Sequence, residues 1–389
     1  MKVSENQEGR ILSILEALVG FDTESSKSNL EAIGWIEGYA RQYPNVRSQR
    51  YLNYGKDKAA LVIQVGPEAA GGVVLSSHID VVPVIGQAWD QDPFSLVRKG
   101  DRVFGRGTCD MKGFIAVALA AIPELSAGNL VRPVQIVVSY DEEIGCLGAP
   151  VLLEGLNRDF PRAANAVVGE PTGMKPVIGH KGVLLSETRV TGYEVHSSLM
   201  HRGVSAIHTA SWLISWHDQQ NDLARETASA FAFDPPFSTF HVGIINGGTA
   251  SNITARDCRF VSDWRLLPEF NEDVMWKTYE SFVESVEARI RKIADSARVD
   301  VVKGAFTPPL NPTGTADGFG QLSRVLGNGI SDVVSYGTEA GHFQRSGYNT
   351  VICGPGSIEQ AHQENEFIEV SELTLCAGFV ADLAEMLSQ

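Results

Sequence analysis

At 389 residues the chain is too long for one ordinary hydrophobic core, and 43% apolar residues with a mean hydropathy near zero point to a soluble globular protein of two domains. A formal net charge of −15 with no basic stripe excludes nucleic acid as the expected partner. No apolar run reaches membrane-spanning length, Met1 to Arg10 lacks the apolar stretch of a secretory signal, and the five cysteines form no CxxC pair; the expectation is no membrane partner and a cytoplasmic protein with reduced thiols.

In chain order, apolar spacing predicts a helix over residues 7–19, with Ile11, Leu12, Leu15, Leu18 and Val19 on one face. A second helix runs from Asn29 to Ala40, with Leu30, Ile33 and Tyr39 turned to the core. Strand-like runs follow at Ala59–Val65, Val73–Ser77 and Val134–Tyr140, and a helix from Gly113 to Leu125 lies between the last two. Short apolar strands alternating with helices indicate a sheet buried on both faces. After Glu170 the order becomes strand (Val183–Thr191), helix (Val204–Trp216), two strands (Phe240–Ile245 and Asp257–Trp264), long helix (Glu272–Ala297) and strand (Val299–Val302). That β-α-β-β-α-β order predicts a ferredoxin-like unit. A Pro-rich return, Phe306–Pro312, leads back to α/β texture at Gly318–Leu326, Val333–Ser335, Thr350–Cys353 and a final helix Glu372–Leu387. The expected architecture is an α/β/α catalytic domain, residues 1–180 and 306–389, interrupted by a smaller α+β domain, residues 181–305.

Candidate chemistry sits in short motifs, most of them flanked by glycine or at strand ends: Ser77-His78-Ile79-Asp80, Gly107-Thr108-Cys109-Asp110, Asp141-Glu142-Glu143, Gly169-Glu170-Pro171-Thr172 and Gln360-Ala361-His362. His78 and Asp80 are two apart at a strand end, so both side chains leave on one face, and Asp80 is expected to fix the imidazole of a metal-bound His78. Asp110 precedes a helix; it is either a helix-start acid or a carboxylate giving one oxygen to each of two cations. Glu142 and Glu143 are neighbours whose side chains diverge, so one can bind metal while the other faces the bound water. Two imidazoles, three ligating carboxylates and one spare carboxylate suit a pair of divalent cations, Zn(II) above all, with Co(II) or Mn(II) as alternatives.

These motifs, in this order, resemble the M20 metallopeptidases over essentially the whole length. The likeness implies a zinc-exopeptidase-like fold with an inserted dimerisation (lid) domain, a co-catalytic dimetal centre and hydrolysis of an amide bond. It implies that His78 and Glu170 hold one cation, Glu143 and His362 the other, and that Asp110 bridges them, with Asp80 clamping His78 and Glu142 as general base. A glutamate at position 170 is similar to the family's deacylases and carboxypeptidases; its aminopeptidases resemble one another in having aspartate there. His196, in Val195-His196-Ser197-Ser198, is implied to reach across a homodimer and steady the oxyanion. Asn252 and Arg265 match substrate-carboxylate positions, for which the planar Arg fork is suited. The tail Tyr336-Gly337-Thr338-Glu339-Ala340-Gly341, with Cys353 to His362, looks closest to the members that deacetylate amino acids. The implied substrate is an N-acyl amino acid, N2-acetyl-L-ornithine, with Thr338 and Glu339 among its contacts and Glu339 facing the side-chain ammonium. N-succinyl-diaminopimelate and broader N-acyl amino acids are the nearest alternatives, and a non-catalytic dimeric scaffold is the reading from another class. The chain departs from the family pattern at Met200 and His201, where proline is common, and at Ser205, where asparagine is frequent.

Overall fold

The computed structural model describes residues 5–228, 233–312, 322–327 and 332–389, so the Gly318–Gln321 part of the expected Gly318–Leu326 segment lies outside the described residues. The chain forms two compact units: Met1–Gly179 with Leu310–Val333 and Thr338–Gln389, and His180–Pro309 with Val334–Gly337.

The first unit begins with helices α1 (Glu5–Val19) and α2 (Leu30–Ala40), then strands β1 (Val46–Leu52), β2 (Ala59–Val65) and β3 (Val73–His78). Short strands β4 (Val97–Lys99) and β5 (Arg102–Phe104) precede α3 (Gly113–Ala120), α4 (Ile122–Ala127), β6 (Val134–Ser139), α5 (Ala149–Asp159), β7 (Asn165–Pro171) and β8 (Val177–His180). The second unit holds β9 (Gly182–Thr191), α6 (Ala206–Glu226), β10 (Thr239–Gly247), β11 (Asp257–Leu266), α7 (Glu272–Arg291) and β12 (Arg298–Thr307). The chain closes with α8 (Leu322–Leu326), β13 (Asp332–Val334), α9 (Ala340–Arg345), β14 (Asn349–Gly354), β15 (Phe367–Glu369) and α10 (Val370–Met386).

The large sheet has the order β1-β2-β6-β3-β7-β14-β8-β13. Strands β6, β3, β7 and β14 run parallel to one another, while β1 and β2 join antiparallel. Every residue of β2, β3, β6 and β7 is buried, which is why these segments read as near-continuous apolar runs rather than alternating ones. Helix α3 is buried on all sides, and β7 presses against it so closely that a Cβ on Gly169 would lie 2.2 Å from the Phe114 ring. The single helix expected over Gly113–Leu125 is two, parted at Ala121 with Pro123 in the first turn of α4, since proline has no N–H to continue the ladder. In α2, Ala32, Ile33, Ile36 and Ala40 fill the core, with Leu30 and Tyr39 packed at its margin. A small sheet has the order β15-β5-β4.

The second unit has sheet order β10-β11-β9-β12, all antiparallel, the arrangement of a ferredoxin-like fold. Along β9 buried and half-buried residues alternate, so one face meets α6 and α7. Trp216, Phe240, Phe260, Trp264 and Tyr279 form its core. Helix α6 continues ten residues past the expected end at Trp216, and α7 stops at Arg291, short of Ala297. Among the described residues no helix is long and apolar enough to cross a membrane.

Candidate metal centre

The parallel strands place their carboxyl ends together, which is where open α/β sheets build sites. His78 is the last residue of β3, Glu142 and Glu143 follow β6, Glu170 is near the end of β7, and His362 lies in the loop after β14. Asp110 comes from an irregular turn over Thr108–Lys112 that starts at Gly107, whose φ of 82° suits glycine, and it precedes a cis peptide to Met111.

The Asp110 carboxylate is divided between two groups. Its Oδ1 lies 3.0 Å from His78 Nε2, and its Oδ2 lies 3.3 Å from His362 Nε2. Glu170 approaches His78 Nε2 to 3.9 Å, and Glu143 accepts from His362 Nε2 at 2.9 Å. Two triads result, His78/Asp110/Glu170 and Asp110/Glu143/His362, each with its potential ligand atoms within 4.8 Å of one another. Glu142 belongs to neither triad; its carboxylate accepts from the Cys146 thiol at 3.3 Å. Glu170 Oε1 is buried with no hydrogen-bond partner among the described residues. Nitrogen and carboxylate donors around a shared acid, with one buried oxygen orphaned, fit two divalent cations.

Charge crowding gives the site its electrostatics. Burial, then the Glu170, Glu143 and Asp110 carboxylates, push Glu142 well above the usual carboxylate range. Burial and Asp110 raise Glu170 to about 8 and Glu143 to about 7. Burial works to raise Asp110 too, but hydrogen bonds from His362 and His78 outweigh it and hold that carboxyl low. Hydrogen bonds to Asp110 and Glu143 raise His362 to about 10. Burial opposes the charged form of His78, yet Asp110 and Asp80 hold it well above the ordinary histidine value.

Asp80 departs from its expected geometry. Because β3 ends at His78, Asp80 lies beyond the pleat, and His78 Nδ1 donates to the Asp80 backbone carbonyl at 2.9 Å, while the carboxylate stands 3.5 Å away. That carbonyl still fixes the tautomer that leaves Nε2 free as a ligand. The carboxylate instead accepts from Glu142 N at 3.1 Å, Glu143 N at 3.3 Å and Ser25 Oγ at 2.7 Å, so it anchors the paired glutamates. Lys58 donates to Asp141 and to the Ser25 carbonyl, tying the same turn from behind.

Thr338 and Glu339 belong to the first unit and are each 1% exposed. Thr338 Oγ1 accepts from Ala340 N at 3.1 Å, and Glu339 accepts from Ser76 Oγ at 3.3 Å, so both face inward at the start of α9. His196, Asn252 and Arg265 belong to the second unit. There Ser197 N donates to the Asn252 carbonyl at 2.8 Å beside an exposed His196, whose Nδ1 meets Ser198 Oγ at 2.8 Å. The Arg265 fork is engaged by Asp263 through two bonds of 2.8 Å, the local ion pair that the Asp-Trp-Arg spacing also allows. Sequence reasoning missed Ser25, Cys146, Arg106 and Glu366. Only Arg106, a cation beside the Gly-rich motif, carried a local signal.

The sequence profile of peptidase family M20/M25/M40 matches residues 74–386, and the chain belongs to that family; it is a hydrolase acting on an amide bond. Acetylornithine deacetylase of Myxococcus xanthus is 34% identical over 379 residues, covering 94% of each chain. An M20 family metallo-carboxypeptidase from Sulfolobus solfataricus shares the fold, with TM-score 0.76 at 16% identity over 99% of this chain and 100% of that one. A dinuclear metal-binding M20 peptidase from Bacillus subtilis also superposes, with TM-score 0.61 at 14% identity, covering 98% and 99% of the two chains.

Proposed function

We propose that this protein removes the acetyl group from N2-acetyl-L-ornithine, giving L-ornithine and acetate, a step suited to arginine biosynthesis in the cytoplasm. The observation that carries the reading is the Asp110 carboxylate split between His78 and His362, with a spare Glu142 beside both triads. Relatives named acetylornithine deacetylase support the substrate, and the Bacillus subtilis neighbour, itself a dinuclear metal-binding peptidase, supports a centre of two cations. Zn(II) fits the donor set best, with Co(II) or Mn(II) as alternatives. When bound, such cations acidify water and polarise the amide carbonyl. His78 and Glu170 would hold one cation, Glu143 and His362 the other, and Asp110 would serve both. Glu142 takes a proton from the attacking water as the water oxygen bonds to the acetyl carbon, then passes that proton to the amine nitrogen as the C–N bond breaks.

His196 of a second copy donates to the oxyanion, and Asn252 and Arg265 receive the substrate carboxylate once Arg265 leaves Asp263. An edge for pairing two copies exists in β10, whose Gly243–Gly247 half is exposed with Ile244 at 56% and Ile245 at 50%. The test is cation analysis of the purified protein together with hydrolysis of N2-acetylornithine and N-succinyl-diaminopimelate. Two cations per chain and a higher kcat/KM for N2-acetylornithine are expected. Preference for the succinyl substrate would replace the deacetylase reading with a desuccinylase one, and no hydrolysis by the loaded protein would favour a scaffold.

A further inference from the structure

Glu366 is 1% exposed and lies four residues after His362, yet its carboxylate faces the Asp110 turn. Oε1 accepts from Cys109 N at 2.8 Å and Asp110 N at 3.1 Å. Oε2 accepts from Gly107 N at 3.0 Å and from Arg106 Nη1 at 2.7 Å. Three backbone N–H groups that no helix or strand satisfies therefore converge on one buried carboxylate. Arg106 extends the link toward His362. Its guanidinium also donates to the Gln363 carbonyl at 3.3 Å and to Gln87 Oε1, while Gln87 Nε2 donates to the His362 carbonyl at 2.8 Å.

We infer that Glu366, with Arg106 and Gln87, is a positioning residue that sets the Asp110 turn against the His362 loop, so that the Asp110/Glu143/His362 triad depends on it more than the His78/Asp110/Glu170 triad does. The asymmetry follows from placement. His78 and Glu170 stand on strands β3 and β7, whose backbone is held by the sheet. His362 stands on a loop with a φ of 65° and a half-exposed side chain, and both it and Asp110 receive their placement through this one network. Replacing a carboxylate by an amide puts an NH2 among donors, so Glu366→Gln both loses acceptors and adds a clash of like polarity.

This inference uses the two-cation reading for its main readout, Co(II) binding measured by calorimetry on full-length protein stripped of metal. In Glu366→Gln one cation should bind about 10–100-fold more weakly, the usual effect of removing an outer-shell support, and the other, which shares Asp110, should weaken by a clearly smaller factor. Deuterium uptake over residues 105–112 should accelerate in the metal-free variant, while kcat for N2-acetylornithine falls with KM little changed. Glu366→Asp should restore part of the larger loss. Gln87→Ala, which leaves Glu366 in place, should weaken the same cation by a smaller factor and guards against a Glu366 variant that does not fold. Equal loss at both cations, or a fall in Tm with two wild-type affinities, would overturn the inference. Wild-type protein binding fewer than two cations would instead overturn the two-cation reading, and the deuterium uptake would then decide the positioning role alone.

Discussion

Cation binding to this site must displace protons, and the structure sets how many. In the metal-free site Glu143 titrates at about 7, Glu170 at about 8 and His362 at about 10, against ordinary values of 4.5, 4.5 and 6.5. A ligand must be deprotonated to bind, so each proton held at a given pH is released on loading. These three groups alone release about three protons at pH 6 and about one at pH 9, and His78, held well above its ordinary value by Asp110 and Asp80, adds to the release. Apparent affinity should therefore climb steeply with pH near 6 and more gently near 9. The same shifts act on stability without metal. A carboxyl whose folded pKa is raised disfavours folding increasingly as pH rises from its unfolded pKa to its folded one, here from about 4.5 to about 7 or 8. The stability His362 contributes is complete below about 6.5 and is lost as pH rises through about 10. All three act in one direction: the metal-free protein loses stability from pH 6 to 9, and loading should reverse that trend. Calorimetric titration with Co(II) in two buffers of different ionisation enthalpy counts the protons. Release that is absent at pH 6, or that grows toward pH 9, would refute the reasoning.

Glu142→Gln should lower kcat by about 10²–10⁴-fold with cation content unchanged, because Gln keeps the shape but cannot take a proton; turnover near wild type, checked against metal analysis, would place the base elsewhere. Asp80→Asn should destabilise the fold by about 1–3 kcal/mol in urea titration, since an NH2 at either oxygen position faces a donor, Glu142 N on one side and Ser25 Oγ and Glu143 N on the other. Mixing inactive His196→Ala and Glu142→Gln proteins should restore about a quarter of wild-type activity, because random exchange makes half the dimers mixed and each of those has one complete site. Demonstrated exchange with no recovery would confine His196 to its own chain or to a structural role.

Where the sequence is readable, one local pattern maps onto one local structure. The run at Ala59–Val65 and all but the last residue of the run at Val134–Tyr140 form fully buried strands because both sheet faces are covered. Ligand candidates show themselves because His78, Glu143 and Glu170 stand at or just past strand ends, where glycines and acids interrupt apolar runs. Strand β1 escapes notice because Arg47, Ser48, Gln49 and Arg50 are four polar residues in a row, so the alternation of burial along this edge strand leaves no apolar alternation in its VRSQRYL. Glu366 is invisible for a different reason: its partners Gly107, Cys109 and Asp110 lie more than 250 residues earlier, so no window of sequence contains the interaction. Asp80 stands out in the sequence, but the two-residue spacing to His78 presumes an extended strand that stops at His78 itself, so the Asp80 carbonyl comes nearer to Nδ1, at 2.9 Å, than its carboxylate does, at 3.5 Å.

The main segment of the inserted unit, His180–Pro309, enters through β9 and leaves through β12, and these strands are hydrogen-bonded neighbours in which Val183 pairs with Thr307. Its two ends therefore stand about 5 Å apart, one strand spacing. To the rest of the chain, roughly 130 residues cost little more in closure entropy than a tight turn would, once the insert has folded on its own aromatic core. Such a joint makes the insert a module in the genetic sense. It can be lengthened or exchanged away from the His196, Asn252 and Arg265 positions without re-threading the strands that carry the metal ligands, so the metal-holding strands and the rest of the insert can accumulate changes along separate lines.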